Sequence, residues 1–394
     1  MEPTPPSVEE ILCDPTSPEI VLMQLRKHLR SCNLSLSGIA CYDCESMDLT
    51  ARIAGAMGLD YPSAQSIRNS RDKSRTKNLW RQHNVPCARS SIVSSEEQVC
   101  DFFEAEGGVC VLKPVDGSGS ELVFRCCTKE ECLTAFKTIE DNRTTSPILM
   151  EGFVEGAEYS CDFIVDRGKV DIIRITRKLH KTGHVFGTIM AYEVIEFLSE
   201  NISRDYLAGL LGKAAAALGI TRAMCMMDFM VQGSDITLLE LSPRPGGDCL
   251  PWLIKRSMDL DTLKMALDFA ENKEFEFKKP LTFIPHVGLR IHALRAGRLK
   301  QIDASRVLED HRVTDVHIKH RPGHVINLPP HDYDSWNLGH IIFKPAGLVS
   351  RSDQCRELLS FLRIDIEHES SRSKQHKPVA ACAGHPRPAD STTA

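Results

Sequence analysis

Apolar residues in the middle of the chain come in runs of strand length, punctuated by glycine, serine and proline. Val109–Lys113 reads as a strand leading into Gly117-Ser118-Gly119-Ser120, after which Leu122–Cys126 resumes extended character. Pro147–Glu151 and Tyr159–Asp166 read as two more strands joined by a glycine-punctuated link, Val170–Arg177 as another, and Lys178–Thr188 as a cationic loop with histidines. Met226–Asp248 predicts a hairpin around a Gly-Ser-Asp turn, with Asp228 near the start of its first strand and Glu240 near the end of its second. Helical spacing appears in Ser17–Cys32 through Leu22, Leu25 and Leu29, and in Asp48–Gly58, Ser70–His83, Lys129–Ile139 with Thr128 as its cap, Arg204–Leu218 and Leu253–Ala270. A short apolar segment, Leu36–Cys41, is a candidate strand. After residue 280 the pattern changes to short strands at Thr282–Leu294, Gly297–Ile302, Asp315–His320 and His340–Ala346, with a late helix at Asp353–Leu362.

These elements place chemistry at particular points. A hairpin carrying Asp228 and Glu240 brings two carboxylates together at a sheet end, and Mg²⁺ takes such hard oxygens while keeping waters and phosphates in its shell. The ordinary alternative is a hairpin with solvated charged ends. The backbone N–H groups of a Gly-Ser-rich turn between strands can fold over phosphates, although most such turns are only turns. The link between Glu151 and Glu158 offers free backbone groups for a base edge and a carboxylate for ribose hydroxyls; it also suits a surface hinge with two solvated glutamates. Lys73, Arg75 and Lys77 on the basic helix fit a solvated face.

At 394 residues the chain is long enough for two to four structural units, and a net charge of −5 gives no sign of a general nucleic-acid or membrane surface. No apolar run is long enough to cross a bilayer, and Met1–Pro15 lacks the form of a secretory signal, so the expected location is the cytoplasm. The fifteen cysteines lie scattered in apolar contexts. Cys41 and Cys44 form a lone CxxC, and Cys126, Cys127 and Cys132 a loose cluster, which reads as small core residues in a reducing compartment.

Taken in order, the segments RDKSRTK, VLKP with GSGS behind it, MEGFVEGAE, and Asp228 with LELSPRPGG resemble the landmarks of the ATP-grasp carboxylate-amine ligases, and residues 280–365 are similar in style to the C-terminal unit of L-amino-acid ligases. The resemblance implies an α/β (α+β) ATP-grasp fold. Its parts would be a leader over 1–17, a truncated N-terminal α/β unit over 18–72, a lid over 73–148, a central antiparallel ATP-binding sheet over 149–275, a small β-rich C-terminal unit over 280–365 and a disordered tail over 366–394.

Carried over by position, the resemblance puts Lys73 and Lys113 on the nucleotide phosphates, Gly117, Ser118, Gly119 and Ser120 in a mobile lid, and Glu151 opposite the adenine amino group. Backbone groups at Phe153 and Val154 would meet the ring edge and Glu158 the ribose. Lys178, Lys181 or His184 would add a phosphate contact. Asp228 and Glu240 would hold Mg²⁺ (or Mn²⁺), two ions sharing Glu240, with Ser242 standing where the family usually has asparagine. Arg244 would act on the transferred phosphoryl group, and Gly246 and Gly247 would let backbone approach the substrate. The implied activity is phosphorylation of a small-molecule carboxylate by ATP and attack of an amine on the acyl phosphate, with an amino acid as substrate and no nucleic-acid or membrane partner. Ligases of this type are often homodimers. Two alternatives stand beside it: a ligase with another acceptor, D-alanine ligase-like or purine-pathway-like, and a nucleotide-binding protein without turnover.

Overall fold

A computed structural model of the chain describes residues 9–117, 119, 121–142, 146–181, 186–198, 201–273, 283–330 and 332–367. Ser118, Ser120, His184, Thr282, residues 1–8 of the leader and nearly all of the tail lie outside the described residues.

Four helices come first: α1 (Pro18–Cys32), α2 (Met47–Met57), α3 (Ala64–Arg71) and α4 (Lys73–Gln82). The expected strand over Leu36–Cys41 is absent, and residues 9–89 contain no described strand. A lone extended segment with no neighbour to share a ladder leaves its N–H and C=O groups to solvent, so apolar character alone does not make it a strand. The helix expected over Ser70–His83 is two helices broken at Asp72. That residue is extended (φ −88°, ψ 103°), and its carboxylate accepts the N–H of Arg75, capping α4.

Next come β1 (Ser90–Val93), α5 (Glu96–Glu106), β2 (Cys110–Pro114), β3 (Phe124–Cys126), α6 (Lys129–Asn142) and β4 (Ile148–Gly152). β1 and α5 had no counterpart in the sequence reading. The strands form one antiparallel sheet in the order β1-β4-β2-β3, and Val99, Phe102, Phe136 and Ile139 of the two helices pack on Cys110, Leu112 and Met150. Thr128 caps α6 as expected, its hydroxyl accepting the N–H of Glu131.

The following stretch holds β5 (Ala157–Asp166), β6 (Lys169–His180), β7 (Ile189–Ile195), α7 (Arg204–Ala217), β8 (Arg222–Gln232), β9 (Asp235–Ser242), α8 (Leu250–Met258) and α9 (Thr262–Ala270). Strand β6 runs three residues beyond the expected end, so Lys178 is in a strand and not in the loop; β7 was not foreseen. The helix expected over Leu253–Ala270 is interrupted: Asp259 turns left-handed (φ 55°) and Asp261 caps α9 by accepting the N–H of Lys264. The last elements are β10 (Val287–His292), β11 (Gly297–Asp303), α10 (Ser305–Leu308), β12 (Val313–Ile318), β13 (Val325–Ile326), β14 (Asn337–Phe343), α11 (Arg351–Ser360) and β15 (Arg363–Glu367).

The chain divides into two compact units. The first comprises residues up to Ala88, Val154–Arg177 and Glu193–Gly288; the second comprises Arg89–Phe153, Lys178–Tyr192 and the chain from Leu289 on. Residues 73–88, expected in the lid, fall in the first unit. In that unit β6, β5, β8 and β9 lie side by side, every neighbouring pair antiparallel. One face of these strands, with Cys161, Phe163, Ile175, Met227, Phe229, Leu238 and Leu241, packs against Leu207, Leu211 and Ala214 of α7 and Trp80 of α4. In the second unit β12, β14 and β10 run in order, β11 pairs with β13 and β15, and the β1–β4 sheet stands as described.

Candidate nucleotide and metal site

The face of β6-β5-β8-β9 turned away from that core carries polar side chains where a buried sheet would carry apolar ones. Residues directly opposite one another in neighbouring strands point to the same side. The register therefore makes two rows across the four strands: Thr176, Ser160, Asp228 and Glu240 in one, Arg174, Asp162, Met226 and Ser242 in the next. Asp228 sits in the middle of β8 and not near its start.

Glu240 reaches that row because of a β-bulge. Asp228 pairs with Glu240 while Phe229 pairs with Leu238, leaving Leu239 as the extra residue. In a regular strand Leu238 and Glu240 would share a face. Here Leu238 and Leu241 are both fully buried in the core, and Glu240 emerges beside Asp228 on the half-open side. The carbonyl of Leu238 accepts the Lys77 ammonium at 3.2 Å, and its N–H donates to the carbonyl of Pro86 at 2.9 Å. Lys77 is fully buried and Lys73 nearly so. Of the three basic residues read as a solvated face, only Arg75 is exposed: one lysine steadies the bulge, and the other lies 3.9 Å from Glu240.

Like charges directly opposite across two strands repel. A pair of half-exposed carboxylates kept in that register, with a hydroxyl residue one row further along at Ser242, suits a hard divalent cation such as Mg²⁺. Glu158 stands on β5 opposite Met230, in line with Ser160 and on the same face.

Beyond Ser242 the chain turns sharply. Arg244 donates from its N–H to the Ser242 carbonyl, from Nε to Cys44 Sγ at 3.0 Å and from Nη1 to the Pro245 carbonyl at 2.7 Å. Burial works against the charge of Arg244, but Cys44, Asp162 and Glu240 outweigh it and hold the pKa above its usual value. Of the two glycines, Gly246 is the one with no space for a side chain: a Cβ there would fall 2.8 Å from Arg174 Nη2 and from Leu250 Cδ1. At Gly247 the nearest atom is an ordinary 3.6 Å away.

The second unit carries the other expected residues. Lys113 of β2 donates to Glu151 of β4 at 2.8 Å, with side chains 13% and 4% exposed, so residues expected at opposite ends of a nucleotide form one ion pair. Gly117 and Gly119 take positive φ (133° and 66°), which only glycine adopts freely. The N–H of Leu122, after this turn, donates to the Tyr333 hydroxyl. The N–H of Phe153 is committed to the Val109 carbonyl, which removes it as a donor for a base; its ring lies under the Arg125 guanidinium at 4.6 Å and edge-on to Phe186. Lys178 is buried, and burial lowers the pKa of Lys181. Ser160, Asp162, Arg174 and Thr176 had not been singled out, and Lys77 only as part of a solvated face. The available signal was the alternating polar residues Ser160 and Asp162 in YSCDFIVD and Arg174 and Thr176 in IIRIT, where a buried strand should be apolar throughout.

A family model described as ATP-grasp domain matches residues 107–251. The large chain of carbamoyl phosphate synthase from Clostridium acetobutylicum is 21% identical over 54% of this chain and 20% of its own, and a D-alanine–D-alanine ligase from Chromohalobacter salexigens is 31% identical over 28% of this chain and 35% of its own. The chain therefore spans only a fifth to about a third of these two relatives. The crystal structure of an L-amino acid ligase from Bacillus licheniformis superposes with a TM-score of 0.74 at 20% identity, covering 89% of this chain and 86% of that one. The family model thus covers the glycine turn and the β8–β9 hairpin, and residues 107–251 are similar to an ATP-grasp domain, within a chain whose fold matches that of the L-amino acid ligase structure.

Proposed function

We propose that the chain is an ATP-dependent carboxylate-amine ligase that joins an amino acid to a second small amine through an acyl phosphate. The observation that carries this reading is the bulge that aligns Glu240 with Asp228, beside Lys73 and one row from Ser242. A bulge stabilised by a buried lysine and leaving two carboxylates opposed gains nothing for folding alone; it serves a cation and the phosphates that accompany it.

In this reading Mg²⁺ (or Mn²⁺) is held by Asp228 and Glu240, with Ser242 adjoining, and supplies positive charge to the triphosphate oxygens. Lys73 and Lys113 bind phosphate oxygens, Lys113 exchanging part of its interaction with Glu151 for the nucleotide. Lys178 adds a further cation. Glu158 accepts the ribose hydroxyls, and the Phe153 carbonyl with the Val154 amide meets the base edge beside Glu151. The turn with Gly117 and Gly119 excludes water, which would otherwise hydrolyse the acyl phosphate. A substrate carboxylate oxygen attacks the γ-phosphorus, the bond to the β–γ bridging oxygen breaks, and ADP leaves. Arg244 grips the transferring group with its planar fork, which never loses its charge. The amine then attacks the acyl carbon, phosphate departs and the amine releases a proton.

The test is a screen of amino acids, singly and in pairs, for stimulated phosphate release from ATP. Dependence on two substrates supports ligation. Silence with every pair, although the protein binds ATP, overturns it in favour of a nucleotide-binding protein without turnover.

A further inference from the structure

From the geometry we infer that Asp162 and Arg174, a buried ion pair on the polar face of the sheet, are positioning residues that clamp the turn carrying Arg244; this rests on the ligase reading above.

Both side chains are fully buried, with Arg174 Nε donating to Asp162 Oδ2 at 2.9 Å. The other carboxylate oxygen, Oδ1, accepts the N–H of Gly246 at 2.9 Å, two residues after Arg244. Arg174 Nη1 donates to Ser160 Oγ at 2.6 Å, to Thr176 Oγ1 at 2.7 Å and to the Ser160 carbonyl at 3.1 Å, which fixes the plane of the guanidinium. Its remaining arm, Nη2, has no hydrogen-bond partner among the described residues and lies against the face of Gly246 where a Cβ would be.

Burying an ion pair gives little net stability, because desolvation offsets the attraction, and apolar replacement of such a pair is often neutral or stabilising. An orphaned buried donor is a further cost. Stability therefore does not account for the arrangement. What the pair does provide is a fixed point: its carboxylate holds the Gly246 amide, and its guanidinium sets how closely the glycine approaches the sheet. Through Pro245 this determines where the Arg244 guanidinium projects. Lysine would keep the charge and lose the fork.

The experiment uses the full chain with three variants: Arg174→Lys, Asp162→Asn, and the apolar pair Asp162→Leu with Arg174→Met, which keeps the volume filled. Amide hydrogen exchange is followed in peptides covering 243–249, alongside kcat and the KM for ATP. The expected result is exchange at Gly246 faster by about tenfold or more in the apolar pair, kcat lower by about tenfold to a hundredfold and the KM for ATP within about twofold of wild type. Unchanged Gly246 exchange in a folded apolar-pair variant overturns the clamp, and so does loosened exchange with unchanged kcat. If the wild-type protein turns over no substrate pair, the ligase reading fails on its own account, while Gly246 exchange still decides whether the pair holds the turn.

Discussion

Replacing Glu240 with glutamine tests the metal assignment in a way that separates function from folding. Glu240 stands directly opposite Asp228 in the β8–β9 ladder. Facing side chains in such a ladder begin about 5 Å apart, and two unit charges at that distance repel by roughly 3 kcal/mol at an effective dielectric of about 20. Lys73, 3.9 Å from Glu240 Oε2, attracts by roughly 4 kcal/mol on the same footing. The Glu240 side chain is 32% exposed, so water and salt reduce both effects together. They nearly cancel, and the metal-free Glu240→Gln protein should unfold within about 1 kcal/mol of wild type. The bound state differs. Mg²⁺ and ATP at about a hundred times their dissociation constant should stabilise wild type by roughly 2.7 kcal/mol, and most of that gain should vanish in the variant. Urea unfolding in chelator and in Mg²⁺ with ATP measures both quantities. A variant that keeps the Mg²⁺-dependent gain, or that loses more than about 3 kcal/mol without metal, refutes the reasoning.

Further expectations concern other parts of the site. Lys113→Met leaves the buried Glu151 carboxylate without its 2.8 Å partner and should destabilise the protein by about 3 kcal/mol while weakening ATP binding; adding Glu151→Gln should restore much of the stability but not the affinity, as calorimetry would show. Gly156→Ala forces a Cβ to within 2.3 Å of the Val231 carbonyl at φ +125°, so a loss of at least about 2 kcal/mol is expected in urea unfolding, and a neutral result would mean the link runs elsewhere. Arg244→Ala should cut kcat by about a hundredfold with the ATP dissociation constant nearly unchanged, and equal losses in both would assign it to ground-state binding. Lys77→Ala removes the buried ammonium that the Leu238 carbonyl accepts and should lower both stability and Mg²⁺ affinity; Mg²⁺ titration of a folded variant with wild-type affinity would count against its role at the bulge.

Local interactions made part of this protein legible in its sequence. The β8–β9 hairpin follows from apolar runs around Gly233, the Thr128 cap from a hydroxyl three residues ahead of Glu131, and helix α7 from alanines and leucines at helical spacing. The order of the motifs was enough to suggest the family. The same reading failed where an element depends on distant neighbours. Leu36–Cys41 looks like a strand but finds no partner, and the basic helix looks solvated although its lysines turn inward toward a strand more than 150 residues away.

By itself the amino-acid sequence determined which residues could bind a cation, a phosphate or a base, and roughly which local elements carry them, since turn preferences, helix caps and apolar spacing act over a few residues. Only the tertiary structure decided the bulge that turns Glu240 toward Asp228, the ion pair that joins Lys113 to Glu151, and the burial of Asp162 with Arg174 beneath Gly246. A shift of one residue in strand pairing reverses every side chain, and the energy that selects the pairing comes from packing against helices far along the chain, which no local pattern contains.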